Sequence, residues 1–144
     1  MSSKLKFYII RFLRIDFFLK KKLTFLAYLL SKVFLAIILL VDDSLDDLLF
    51  LEEFLVSMKC ECRLANSGKM AIDHLKIEKF DLIISDYQMD HGDGLWLFDH
   101  LKNLNIVTPF ILVSSEPING GDAFSQKPID LKRLEQQIRG FISL

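Results

Sequence analysis

The sequence predicts an α/β fold: a parallel five-stranded sheet between layers of helix, in a three-layer α/β/α sandwich. Two observations carry this. Short apolar runs alternate with amphipathic stretches, the pattern of strands buried on both faces and joined by right-handed helical crossovers. Successive apolar runs also end in polar groups of a chosen kind. Ala36–Val41 ends in Asp42-Asp43, Leu82–Ser85 in Asp86, Ile111-Leu112-Val113 in Ser114, and Phe124-Ser125-Gln126 in Lys127-Pro128. Open α/β sheets hold their chemistry just beyond the strand carboxyl ends, so these side chains are the candidate site. At 51% hydrophobic and 26% charged residues over 144 positions, the chain is rich enough in apolar side chains for one well-filled core and unlike a disordered segment.

The elements follow in order. After the first strand, Leu45–Met58 reads as a helix with an apolar stripe of Leu45, Leu48, Leu49, Leu51, Phe54 and Leu55. Asp46, Asp47, Glu52 and Glu53 are expected to face water. Ser44 is placed to cap its start, with Asp47 completing the capping pattern. Glu61–Ala65 is a short strand, and Asn66-Ser67-Gly68 turns the chain into a helix over Lys69–Lys76. Phe80–Ser85 is the next strand. His91-Gly92-Asp93-Gly94 forms a loop before a helix over Leu95–Leu104, and Pro109–Val113 is a strand. Asp130–Phe141 closes the chain as a helix with Leu131, Leu134, Ile138 and Phe141 on one side. Between Ser114 and Lys127, the run "EPINGGDA" (116–123) holds a proline and a glycine pair, so it is a poor helix.

Three acidic side chains at two neighbouring strand ends would repel one another and hold their protons more tightly unless a cation neutralised them; a hard, oxygen-seeking ion such as Mg2+ meets that need. Cys60 and Cys62 are two apart, which puts both on one face of a strand. With no further cysteine to complete a metal site they read as reduced packing or surface thiols. His74, His91 and His100 stand singly and read as surface residues.

Charge divides the chain. Residues 1–32 hold eight basic side chains against Asp16 alone, whereas residues 33–144 hold ten basic and eighteen acidic ones. Residues 1–35 therefore read as a basic, hydrophobic extension and residues 36–144 as the folded domain. Leu23–Val41 is nearly long and apolar enough to suggest a membrane span, but Lys32 interrupts it and Ile37–Val41 is needed as the first strand. Two readings of the extension stand level: a basic aromatic helix lying on an anionic membrane surface, and a segment under no selection.

At these residues the chain resembles the receiver domain of two-component response regulators. The stretches that carry the likeness are "IILLVDDS" (37–44), "FDLIISDYQMDHGDGL" (80–95), "FILVSSE" (110–116) and "FSQKPID" (124–130), in order and at matching spacing. The resemblance implies a flavodoxin-like, doubly wound receiver fold with CheY-like topology. It implies Asp86 as phosphoacceptor and Mg2+ held by Asp42, Asp43, Asp86 and the Gln88 backbone carbonyl. Lys127 would contact the phosphoryl oxygens, and Ser114 would act as the switch hydroxyl with Phe124 turning inward beside it. In much of the family the peptide before the proline at position 128 is cis. Gln88 and Glu116 fall where phosphoryl lifetime is tuned, and Asp90 replaces a usual proline. Receiver domains place a full helix between the fourth and fifth strands; here it is expected to be missing or reduced to one turn.

The implied role is signalling and not enzymatic catalysis. A sensor histidine kinase or phosphotransfer protein would donate the phosphoryl group, and an unknown downstream protein would read the result, with no direct nucleic-acid contact. The expected location is cytoplasmic. Two rivals remain: a pseudo-receiver that is never phosphorylated, and a peripheral membrane protein governed by residues 1–30.

Overall fold

The structure is a computed structural model that describes residues 19–24, 36–90 and 93–143. The chain divides into two units, residues 1–33 and 34–144. In the first, residues 19–24 are helical and exposed; the rest of the expected N-terminal helix lies outside the described residues. Among the described residues no helix is long and apolar enough to cross a membrane.

The second unit contains β1 (Ala36–Val41), α1 (Leu45–Ser57), β2 (Cys60–Ala65), α2 (Gly68–Ile77), β3 (Leu82–Asp86), α3 (Gly94–Asn103), β4 (Phe110–Ser114), β5 (Ala123–Gln126) and α4 (Leu131–Phe141). The strands form one parallel sheet in the order β2-β1-β3-β4-β5. Side chains alternate between its faces. Ile38, Leu40, Leu82, Ile84, Ile111 and Val113 share one core with Leu48, Leu51 and Leu55 of α1 and Leu134 and Ile138 of α4. Leu39, Val41, Ile83, Phe110 and Leu112 form the other with Ala71 of α2 and Leu97, Phe98 and Leu101 of α3.

All four helices of this unit are capped by the residue before them. Ser44 Oγ accepts from Asp47 N–H at 3.3 Å, Asp93 Oδ1 from Trp96 N–H at 2.6 Å, and Asp130 Oδ1 from Lys132 and Arg133 N–H at 3.0 and 3.2 Å. Ser67 caps α2 in the same way. Cys60 and Cys62 do share a face: Cys60 is buried in the α1/α4 core and Cys62 packs against it. Burial pushes the Cys62 thiol up to about 12, as suits an inert packing residue.

The α1 stripe differs from expectation. Leu48, Leu51 and Leu55 are buried, but Leu45 and Leu49 are exposed, at 64% and 49%. A helix lying on a flat sheet buries only one side, and six apolar positions in α1 exceed what that side covers.

No helix lies between β4 and β5; residues 115–122 form bends and irregular chain. Asp122 fixes this connection. Its N–H donates to the Phe110 carbonyl at 2.8 Å, and its Oδ2 accepts from Phe110 N–H at 2.9 Å. Gly121 turns the chain at φ +73, a conformation that L side chains rarely adopt. Ile118 packs against the α2/α3 core beside Leu95, so one side chain takes a place where a helix face is expected.

Candidate functional site

Strand order and side-chain alternation assemble the site. The order reverses at β1, with β2 on one side and β3 on the other, and open α/β sheets place their sites beyond the strand carboxyl ends at such a switch point. Val41 pairs with Ser85, so Asp42 and Asp86, one residue further on, arrive side by side. Asp42 follows Ile38 and Leu40 on the α1/α4 face, Asp86 follows Leu82 and Ile84, and Lys127 follows Ala123 and Ser125. The same periodicity that fills the core thus aims two acids and an amine at one point.

Asp42 and Asp86 are buried, at 4% and 7% exposure, while Asp43 is exposed. One carboxylate oxygen from each of the three falls within 4.8 Å of the others, close enough to surround one metal ion. Lys127 Nζ lies 3.0 Å from Asp86 Oδ1, 2.9 Å from Asp47 Oδ2 and 3.4 Å from Asp42 Oδ2. Burial raises the Asp86 carboxyl above the usual range, opposed by its hydrogen bond to Lys127 and by the Lys127 charge. Burial raises Asp42 as well, against a hydrogen bond from Ser44 N–H at 2.9 Å. Burial works to lower the Lys127 ammonium, but the hydrogen bonds to Asp47 and Asp86 and the charge of Asp42 prevail, and its affinity for the proton rises. Four carboxylates around one ammonium leave an anionic excess that a divalent cation would relieve, so the donor set fits Mg2+.

The loops complete the arrangement. Asp43 Oδ2 accepts from Asp90 N–H at 2.9 Å, tying the loop after β3 to the end of β1. Gly94 N–H donates to the Tyr87 carbonyl at 2.9 Å. A Cβ at Gly94 would lie 2.3 Å from the Asp86 carbonyl oxygen, so only glycine lets α3 start this close to Asp86. Ser114 is buried at the end of β4, where its Oγ accepts from Glu116 N–H at 3.1 Å. Its carbonyl accepts from Lys127 N–H at 2.8 Å, coupling the ends of β4 and β5. The Lys127-Pro128 peptide is cis. Gln88 is exposed in the loop after β3, and Phe124 is half-buried on β5. The structure therefore brings together Asp42, Asp43, Asp86 and Lys127, with Ser114 one strand away from Asp86.

Asp47 corrects the sequence reading, which turned its side chain to water. Its N–H takes the cap from Ser44, but its carboxylate reaches Lys127. A signal for this was present: Asp47 lies in the first turn of a helix that begins three residues after Asp42, on the side of the sheet where the strand carboxyl ends gather the acids.

The response regulator receiver domain model matches residues 38–139. The transcriptional regulatory protein CrdR of Helicobacter pylori is 33% identical over 111 residues, covering 68% of this chain and 52% of that protein. The sensor histidine kinase RcsC of Salmonella typhi is 28% identical over 110 residues, or 70% of this chain and 12% of that one. The chain thus spans about half the length of CrdR and a small part of RcsC. Among solved structures, the signal receiver domain of a histidine kinase from Syntrophus aciditrophicus superposes with a TM-score of 0.70 at 27% identity, covering 75% of this chain and 90% of that one. The chemotaxis response regulator CheY4 of Vibrio cholerae gives 0.69 at 22%, covering 75% and 99%, a likeness of fold. With the family model spanning most of the chain and the acid cluster and lysine at its matching strand ends, the chain belongs to the response regulator receiver domains of two-component signalling.

Proposed function

We propose that the chain is a phosphoacceptor receiver, taking a phosphoryl group onto Asp86 from a histidine kinase or phosphotransfer protein. The observation that carries this is the convergence of Asp42, Asp43 and Asp86 within 4.8 Å, with the Lys127 ammonium 3.0 Å from Asp86. A carboxylate is a weak nucleophile, and phosphoryl transfer depends mostly on positioning and charge neutralisation. Asp86 attacks phosphorus through a carboxylate oxygen; the P–N bond to the donor imidazole breaks, and its electron pair returns to the imidazole nitrogen. Asp42, Asp43, Asp86 and the Gln88 carbonyl would hold Mg2+, which when bound neutralises charge on the phosphoryl oxygens. Lys127 turns its ammonium to those oxygens as a compact point charge. Ser114 accepts from Glu116 N–H, so its own O–H is left to donate to a phosphoryl oxygen. That contact would draw the 115–122 connection inward and shift an existing two-state equilibrium. The domain acts in this reading by contact with another protein, not as an enzyme.

Labelling by acetyl phosphate or a phosphohistidine donor tests the proposal. Asp86→Asn, nearly isosteric and not nucleophilic, should lose the label and keep the fold. Undiminished labelling would move the acceptor elsewhere, with Asp90 and Asp93 in the loop after β3 the next carboxylates to test.

The absence of a helix between β4 and β5 favours a second reading, an interaction module that is never phosphorylated. Binding of beryllofluoride with Mg2+ supports the first reading; saturating probe without spectral change supports the second.

A further inference from the structure

We infer that Asp47 is a competing counter-ion for Lys127, one that the phosphoryl group must displace. The inference rests on the phosphoacceptor reading and names a positioning residue within that site. An ammonium has three N–H donors. Here Asp47, Asp86 and Asp42 take all three, at 2.9, 3.0 and 3.4 Å. A phosphoryl oxygen therefore gains Lys127 only if one carboxylate gives it up.

The three partners differ in how easily they do so. Asp42 is buried, its Oδ1 is fixed by Ser44 N–H, and it belongs to the set suited to Mg2+. Asp86 carries the phosphoryl group itself and stays beside the ammonium. Asp47 lies outside the acid triad, and its side chain is 45% exposed, so water can solvate it once released. It also makes the shortest of the three contacts, which makes it the strongest competitor in the resting state.

The position of Asp47 is set by the fold. Its backbone N–H is held by the Ser44 cap in the first turn of α1. That turn opens beside the strand end carrying Asp42, which puts the carboxylate within reach of an amine arriving from β5. Asp46 shares the same first turn and the same favourable helix dipole, but it is exposed and has no contact with Lys127 among the described ion pairs. The neighbouring acid is thus an internal control for charge alone.

The test is beryllofluoride affinity of the full chain at saturating Mg2+, followed by amide shifts around Ser114. Each variant's fold is checked by its amide spectrum. Asp47→Asn should tighten beryllofluoride by about three- to fivefold, the scale of a partly exposed ion pair, with the gain shrinking at high salt. Asp46→Asn should change it by less than about twofold. Asp47→Glu, which keeps a carboxylate, should restore wild-type affinity. Mg2+ affinity measured without beryllofluoride should not rise in Asp47→Asn, because the freed ammonium then leans harder on Asp42 and Asp86. Equal effects of Asp47→Asn and Asp46→Asn, or a parallel rise in Mg2+ affinity, would overturn the inference and leave the phosphoacceptor reading standing. A wild-type protein that binds no beryllofluoride would overturn both.

Discussion

Asp86 is held more tightly to its proton in the folded protein than in the unfolded chain, chiefly because it is buried. A group of this kind costs stability once ionised, and the cost sets in as pH rises out of the ordinary carboxylate range. Asp86→Asn should therefore melt above the wild type at pH 7 in Mg2+-free buffer, and the gap should close as pH falls toward that range. A mutant that melts lower at pH 7 would mean that the Lys127 pair, at 3.0 Å, outweighs desolvation. Gly94 makes a second residue-scale test. A methyl group there meets the Asp86 carbonyl at 2.3 Å and Leu112 Cδ2 at 2.7 Å. Gly94→Ala should cost about 3 kcal/mol in urea unfolding, since backbone cannot yield as a flexible side-chain tip does.

At the scale of elements, α1 links stability to the site. Ser44 caps it, Leu48, Leu51 and Leu55 anchor it, and its first turn delivers Asp47 to Lys127. Ser44→Ala should lower stability by about 1 kcal/mol, measured by urea denaturation, by leaving an N–H of the first turn without its acceptor. The connection from β4 to β5 is the other element with consequences. It dispenses with a helix because Asp122 hydrogen-bonds Phe110 twice, Gly121 turns the chain, and Ile118 reaches the core. Pro117 and the glycine pair made the lack of a helix readable in the sequence. The Asp122 clasp was not readable, because it joins residues twelve apart whose approach depends on β4 and β5 being neighbours.

Two expectations belong to the whole molecule. Asp42, Asp43 and Asp86 converge only in the folded chain, so Mg2+ held by them should stabilise by mass action, by about 1.4 kcal/mol at tenfold over its dissociation constant. Thermal melts should rise by roughly 5 °C in the wild type and much less in Asp86→Asn. A wild-type melt indifferent to millimolar Mg2+ would argue against the metal site. The second concerns assembly. The α4 helix buries Leu134 and Ile138 and presents Lys132, Arg133, Gln136 and Arg139 outward, and no helix stands between β4 and β5 to broaden that face. The protein should remain a monomer in sedimentation velocity with or without beryllofluoride. An activated dimer lost on mutating α4 would contradict this.

The sequence by itself determined the alternation of strands and helices, the parallel sheet and the strand-end placement of Asp42, Asp43, Asp86, Ser114 and Lys127. It could do so because each depends on local periodicity and on which residue follows an apolar run. Helix bounds shifted by a residue or two, as frayed ends do. Only the tertiary structure decided which partners Lys127 takes. Asp47 and Lys127 are 80 positions apart, and their 2.9 Å contact exists because β1 and β5, three places apart in one parallel sheet, both end on the side where the first turn of α1 opens. It likewise decided that Leu45 and Leu49 stay exposed, since a hydrophobic pattern records what a helix offers and the packed sheet determines how much of it is covered.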